Sequence, residues 1–286
     1  MKAQILVPMY NESPGIQETL SSLLEFFDAQ DIIVVDDGST DGCGDIVKKN
    51  GITVITHPRT RGYGASIKTA LRQSSAEYVC WYDADGQHAA QDARDMIAET
   101  DGLDAVIGIR SKKSYRPLLR RPGKALLHWV ANALSPEKIP DVNCGLRVFK
   151  RSTIMRYIHL LPDGFSASTT TTLLAINRGF AYRFREVLVT RRKGKSTVRQ
   201  VPAGFSTIHL LLRIIVLFNP LTFFFPISLV LFSGGAAYGI TVAIINRQGL
   251  PAASLLLFMS SLFTFFFGLI SDQISEMHKG KFEEPR

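Results

Sequence analysis

The sequence predicts an open α/β sheet, mostly parallel, with helices on both faces, followed by an apolar helical hairpin. Three observations carry this. Residues 1–200 alternate strand-length apolar runs with stretches of helical period, the pattern of repeated β-α-β units. Polar and acidic clusters follow the runs, at the strand ends where such sheets bind ligands. Two later stretches, 221–245 and 250–270, carry no charged residue, and each has the roughly 20 residues needed to cross a hydrocarbon core.

The first run, Gln4-Ile5-Leu6-Val7-Pro8, reads as a buried strand ending at a proline. Asn11-Glu12-Ser13-Pro14 then opens a helix with proline in its first turn. Leu20, Leu23, Leu24 and Phe27 supply its apolar stripe. The β-branched run Ile32-Ile33-Val34-Val35 marks a central parallel strand and stops at Asp36-Asp37-Gly38-Ser39. A helix over 44–50 leads to a third strand at 52–55. Gly62-Tyr63-Gly64-Ala65 opens the next helix, through Ile67, Ala70 and Leu71. That pair of glycines lacks the Gly-Lys-Ser/Thr of a phosphate loop and the third glycine of a dinucleotide fingerprint. It is read as permitting close helix packing beside the ligand, rather than as a phosphate cradle.

The centre of the chain is the run Tyr78 to Tyr82, which stops at Asp83-Ala84-Asp85-Gly86-Gln87-His88. Two acids spaced i, i+2 fall on one face of an extended segment. With a glycine to turn the backbone, they suit a hard divalent cation, which takes oxygen ligands and shares them with phosphates. A solvated turn would explain one such cluster, but not three at one sheet edge. Asp83, Asp85 and Gln87 are therefore expected at a metal, and Glu12 and Asp37 are expected to accept hydrogen bonds from a base or ribose.

The second half of this region is basic. A fifth strand, Ala105 to Arg110, ends in arginine, and Lys112, Lys113, Arg116, Arg120, Arg121 and Lys124 follow without an acid. Arg110 and one or two of these could bind a second anion at the rim. Residues 126–134 read as a helix, and 141–149 as a loop feeding a strand. Four consecutive threonines, Thr169 to Thr172, make a poor helix interior and are expected at a helix entrance. A strand over 182–190 leads to Arg191-Arg192-Lys193-Gly194-Lys195-Ser196, read as a loop closing on phosphates.

From 202 to 218 apolar residues alternate with His209 and Arg213, as in an amphipathic helix lying in a membrane interface. Asn246-Arg247-Gln248-Gly249 separates the two charge-free stretches, and the tail is charged again. The domain plan is thus 1–200 for the catalytic unit, 201–219 interfacial, 220–273 for two transmembrane helices and 274–286 for the tail. Lys and Arg in 110–213 and in the tail put both ends on the cytosolic side. The formal charge of +8 favours anionic partners. Cys43, Cys80 and Cys144 lack Cys-x-x-Cys spacing and read as reduced thiols. The N-terminus has too short an apolar run for a secretory signal.

The chain resembles family 2 inverting glycosyltransferases, in the branch of dolichol-phosphate mannose synthase and polyprenyl-phosphate glycosyltransferases. The resemblance rests on Val7-Pro8-Met9-Tyr10-Asn11-Glu12, on Val34 to Gly42, on Asp83 to His88, on Asp141 to Phe149, and on Gly194-Lys195-Ser196, in the family's order. It implies a GT-A fold in which Pro8, Tyr10, Glu12, Val35 and Asp37 hold the nucleoside. Asp83 and Ala84 would lie along the nucleotide, with Asp85 and Gln87 on Mg²⁺ or Mn²⁺. Arg110, a basic residue among Arg120, Arg121 and Lys124, and Arg191 with Lys195 and Ser196 would hold donor and acceptor phosphates. Spacing does not choose within 120–124, nor between Arg191 and Arg192.

One departure bears on the acceptor. After Gly164-Phe165-Ser166 the chain has threonines and no acid, where many relatives that glycosylate a hydroxyl carry one. A hydroxyl nucleophile benefits from a general base. A phosphate monoester, with a second pKa of about 6, is already largely dianionic. The expectation is a membrane enzyme moving a hexose from a nucleotide sugar to polyprenyl phosphate at the cytosolic face. It has no nucleic-acid partner, and a homo-oligomer is compatible with it. A hydroxyl acceptor, or a non-catalytic nucleotide-binding scaffold, are the alternatives.

Overall fold

The computed structural model describes residues 2–114, 132, 137–141, 144–164, 166–192, 220–246 and 249–280. The chain divides into two compact units, Met1–Gly204 and Phe205–Arg286.

The first unit is built on one seven-stranded sheet. Its strands are β1 (Ala3–Met9), β2 (Ile32–Asp36), β3 (Thr53–Thr56), β4 (Tyr78–Trp81), β5 (Ala105–Arg110), β6 (Arg147–Lys150) and β7 (Tyr182–Val187), in the order β3-β2-β1-β4-β6-β5-β7. All neighbours run parallel except β6, which is antiparallel to both β4 and β5. The expected strand over 182–190 ends at Val187, because the chain leaves the sheet there to cross the rim.

The two faces of the sheet are covered by different helices. On one face Ile5, Val7, Val34, Cys80, Tyr82 and Val148 form a buried core with α1 (Ser13–Leu24), α2 (Cys43–Lys49) and α4 (Ala90–Ala98). On the other face α3 (Tyr63–Gln73) packs on β1 and β2, burying Ile67, Ala70 and Leu71. A short α5 (Arg151–Arg156) follows β6 directly. Both faces are apolar, so the strands read as continuous hydrophobic runs, as central parallel strands do. The three cysteines are free and buried.

The threonine run is not a helix entrance. It lies inside α6 (Ala167–Asn177), with all four threonines buried. The reason is Arg147, fully buried at the register position opposite Trp81. Its Nη1 donates to Ser168 O at 2.6 Å, Thr171 Oγ1 at 2.7 Å and Thr172 Oγ1 at 3.3 Å, and its Nη2 donates to Cys144 O. The hydroxyls of Thr171 and Thr172 also donate back to the carbonyl of Ser168. Buried charge needs acceptors, and the threonines supply them at a modest cost in helix propensity.

The second unit contains α7 (Pro220–Asn246) and α8 (Ala252–Gly280). Each carries a 26-residue apolar span, Pro220–Ile245 and Ala252–Met277. The helices pack antiparallel through small residues. Ser254 Oγ donates to Gly235 O at 2.6 Å, and Ser261 Oγ to Ser228 O at 2.8 Å. A Cβ at Gly239 would lie 2.6 Å from Ser254 Oγ. Such close approach of small residues is how helices associate in lipid. Val230, Phe232, Ile244, Leu256, Phe263 and Phe267 point outward. The interfacial helix expected over 202–218 lies outside the described residues.

Candidate active site

The carboxyl ends of β1, β2, β4 and β5 bring Glu12, Asp37, Asp83, Asp85 and Arg110 to one rim. The β1 and β2 loops are stitched together there. Asn11, in the left-handed region at φ +52°, donates its N–H to Ser39 Oγ and accepts from Thr40 N at 2.9 Å. Asparagine tolerates that conformation better than most residues. Ser13 N donates to Asp41 Oδ2 at 2.8 Å.

Asp37 accepts three hydrogen bonds from the segment that follows β3. Its Oδ1 accepts from His57 Nδ1 at 2.7 Å and Arg61 N at 2.9 Å, and its Oδ2 accepts from Gly62 N at 2.7 Å. Both oxygens therefore tie down the 57–62 segment. That segment is locked from the other side as well. A Cβ at Gly64 would lie 2.0 Å from Pro162 O, and one at Gly62 would lie 2.5 Å from Asp163 O. The glycines permit close packing, in agreement with the sequence expectation. Pro8 and Val35 are register partners and both buried, Val35 completely, and Tyr10 is half-buried beyond them.

The metal end centres on Asp83 and Asp85. Gly86, at φ +69°, turns the chain after them. Ala84 is buried, its carbonyl accepting from Thr19 Oγ1 at 3.2 Å. Asp83 Oδ1 accepts from Tyr63 Oη at 3.0 Å. Asp85 Oδ1 accepts from Gln87 N at 3.2 Å. Burial, and then repulsion from Asp83, push the Asp85 carboxyl up to about 6 against the pull of Arg192. Burial does the same to Glu12, to about 7, with Arg192 opposing and Asp85 adding repulsion.

Glu12 thus sits at the acidic end, beside Asp85, not apart from it at a nucleoside end. The cation facing both is Arg192, whose Nη2 contacts Glu12 Oε1 and whose Nη1 lies 3.8 Å from Asp85 Oδ2. Between Arg191 and Arg192, the structure brings the second to the acids. The segment carrying it is fixed by a reciprocal pair: Thr190 N donates to Gln87 O, and Gln87 Nε2 to Thr190 O, each at 2.9 Å. Gln87, expected as a metal ligand, holds the segment that carries Arg192 through its Nε2 and its backbone carbonyl. Arg110 packs on Asp141, Nε to Oδ2 at 3.5 Å. Arg121, Lys124, Lys195 and Ser196 lie outside the described residues.

Sequence reading missed Arg147, Tyr63 and His88. His88 is buried, with Nε2 3.9 Å from Asp83 Oδ2 and Nδ1 without a hydrogen-bond partner among the described residues. The threonine run was the one signal that a buried cation lay nearby.

The described residues contain no group of three or more His, Cys, Asp or Glu able to cage a metal unaided. The donor set still fits a hard divalent ion that completes its shell from a ligand. Asp83 and Asp85 are both carboxylates, and burial together with the Asp83 charge raises the Asp85 carboxyl, a cost that a bound cation would relieve.

An α/β sheet of this order with an Asp-x-Asp pair closing its central strand defines a GT-A type glycosyltransferase domain. The chain belongs to glycosyltransferase family 2: the family model described as Glycosyl transferase family 2 matches residues 4–158, and the one described as GtrB C-terminal hairpin matches 219–277. It is an enzyme with two membrane-spanning helices. Glycosyltransferase AglJ of Haloferax volcanii is 26% identical over 96% of this chain and 94% of its own. The UDP-N-acetylglucosamine–dolichyl-phosphate N-acetylglucosaminyltransferase of Methanococcus voltae is 26% identical over 69% and 83%. Among solved structures, glucosyl-3-phosphoglycerate synthase from Mycobacterium tuberculosis, crystallised with Mn²⁺, UDP-glucose and phosphoglyceric acid, superposes with a TM-score of 0.57. It is 16% identical over 74% of this chain and 78% of that one, a likeness of fold.

Proposed function

We propose that the protein transfers a hexose from a nucleotide sugar to a polyprenyl phosphate at the membrane surface, with inversion at the anomeric carbon. The acceptor phosphate oxygen forms the new bond to that carbon as its bond to the donor diphosphate breaks. The observation that carries this reading is the rim itself: Glu12, Asp83 and Asp85 gathered on one side, Arg192 delivered among them, and no acid from Ser166 to Thr172. The relative that acts on dolichyl phosphate supports the acceptor class.

Asp83 and Asp85 would hold Mg²⁺ or Mn²⁺, which when bound neutralises charge on the departing diphosphate. Asp37 shapes the nucleoside pocket by holding the backbone at Arg61 and Gly62. Pro8 and Val35 back its floor, with Tyr10 beyond them. Arg192 offers the diphosphate a bidentate cation once it leaves Glu12. Arg110, with Arg121 or Lys124, and the 191–196 segment with Arg191, Lys195 and Ser196 would orient the lipid phosphate. That phosphate is ionised without help, so positioning and charge balance replace a general base. The hairpin tethers the catalytic unit to the bilayer, and the distribution of Lys and Arg supports a cytosolic orientation.

The test is incubation of the detergent-purified protein with undecaprenyl or dolichyl phosphate and a panel of UDP- and GDP-sugars. Mass spectrometry of the extracted lipid reads the outcome. An acid-labile lipid-phosphate hexose is expected. An acid-stable glycolipid would replace this acceptor by a hydroxyl, and binding without turnover of any donor would replace the enzyme by a scaffold.

A further inference from the structure

We propose that Tyr63 is a positioning residue for the transfer reaction, its phenol holding the Asp83 carboxylate in the orientation that receives a metal-bound nucleoside diphosphate. This deepens the donor-site reading above and rests on it.

Asp83 sits in a socket with three walls. Tyr63 Oη donates to Oδ1 at 3.0 Å. Gly145 lies directly against the other side, where a Cβ would come within 2.0 Å of Oδ2. His88 Nε2 stands 3.9 Å from Oδ2. No side chain larger than hydrogen fits at position 145 without displacing the carboxylate. The glycine is itself held in place, because Arg147 grips the preceding carbonyl, Cys144 O.

Tyr63 has no freedom to let go. It begins α3 between two glycines pressed onto the backbone of Pro162 and Asp163. Gly62 N is held by Asp37, and Ala65 N donates to Asp163 O at 3.0 Å. A continuous chain of contacts therefore runs from Asp37 at the β2 end, through Gly62 and Tyr63, to Asp83 at the β4 end. It joins the part of the rim expected to take the base to the part expected to take the diphosphate. Burial and the neighbouring Asp83 raise the Tyr63 phenol well above its ordinary value. Among the described residues, Asp85 accepts from Gln87 N and faces the more distant Arg192, with no phenol or hydroxyl donor. The two acids of the pair are thereby set apart: Asp83 is oriented by the protein, and Asp85 is left to the metal.

The prediction concerns binding before any chemistry. A hydrogen bond to a charged group contributes about 1.5–3 kcal/mol, so its loss should weaken binding by about tenfold or more. In calorimetry of the full-length protein in detergent, Tyr63→Phe should bind UDP or GDP with Mn²⁺ about tenfold more weakly. The KM for the donor should rise in step, with a smaller change in kcat. Asp83→Asn provides the second leg of a double-mutant cycle. If Tyr63 acts through Asp83, adding Tyr63→Phe to that background should cost less than about threefold.

Wild-type nucleotide affinity in Tyr63→Phe, with or without a lowered melting temperature, overturns the proposal and leaves the phenol a purely structural role. So does a full tenfold further loss in the Asp83→Asn background. A wild-type protein that binds neither nucleotide with Mn²⁺ overturns the donor-site reading and this role with it, an outcome distinct from failure of Tyr63 alone.

Discussion

The Nη1 of Arg192 lies 3.8 Å from the Oδ2 of Asp85, and the same guanidinium contacts Glu12. A residue beyond the last strand thus supplies positive charge to the acids at the end of the central one. The Thr190–Gln87 bonds hold that distance, since they join the two segments two residues from each charge, before Arg192 and after Asp85.

If Arg192 serves the diphosphate, Arg192→Ala should lower kcat/KM for the donor by roughly 100-fold, in the range found for charge-stabilising groups. Arg191→Ala should cost less. Steady-state kinetics with a saturating lipid acceptor compares them. Equal losses would mean that the position beside Asp85 has no special part.

Asp85→Ala should abolish metal-dependent turnover, by roughly 100-fold or more, while the protein still folds. Circular dichroism and a titration of activity with Mn²⁺ check both halves. Full activity of the variant in EDTA would remove the metal role.

Glu12 gives a pH prediction. Its carboxyl is raised from 4.5 to about 7, chiefly by burial. The folded chain then holds this proton more tightly than the unfolded chain. That contribution to stability is complete below about pH 4.5 and is lost as pH climbs through about 7. Asp85, raised to about 6, acts in the same direction over a lower window. The melting temperature of the ligand-free protein should therefore fall between about pH 5 and pH 8. Glu12→Gln should flatten the upper part of that fall and leave the protein more stable at about pH 8, on the order of 1 kcal/mol. Scanning calorimetry of the two proteins decides it, and parallel curves would exclude Glu12 as the source.

Arg147→Met should destabilise the catalytic unit by about 3–5 kcal/mol, as removing one side of a buried polar network does. It takes the Nη2 donor from Cys144 O and the Nη1 donor from Ser168 O, Thr171 Oγ1 and Thr172 Oγ1, leaving the two hydroxyls only their own bonds to helix carbonyls. Pairing it with Thr171→Val should cost less than the sum of the two, because both remove one bond. Chemical denaturation monitored by tryptophan fluorescence, with the Arg147 guanidinium carbon 5.9 Å from the centre of the Trp81 ring, reads the change.

Much of the fold was legible in the order of residues. Ile32 to Val35 read as a buried strand, and Asp83-Ala84-Asp85-Gly86 marked the rim because the apolar run stops there, although β4 itself ends at Trp81 and the two acids lie in the turn beyond it, not on one strand face. The reversed direction of β6 was not legible. A strand covered on both sides carries the same apolar pattern whichever way it runs, so nothing in Arg147 to Lys150 announces an antiparallel partner. Asp37 and Gln87 were correctly brought to the rim, but their partners, His57 and Thr190, are distant in sequence and leave no local period. Thr169 to Thr172 misled for a related reason. Helix propensity counts the cost of a hydroxyl in a helix, and misses the benefit when a buried arginine elsewhere needs acceptors.

The reversal of β6 has a consequence for how such enzymes diversify. Running against its neighbours, it divides the sheet into β1–β4 on one side and β5 with β7 on the other. The excursion from β5 into β6 is pinned at both ends, by Arg110 N to Asp141 Oδ2 at 3.2 Å and by Gly108 N to Leu146 O at 3.0 Å. On the proposed reading, substitutions between residues 110 and 141 should change acceptor preference while Gly145 and Asp83, and with them nucleotide affinity, stay as they are.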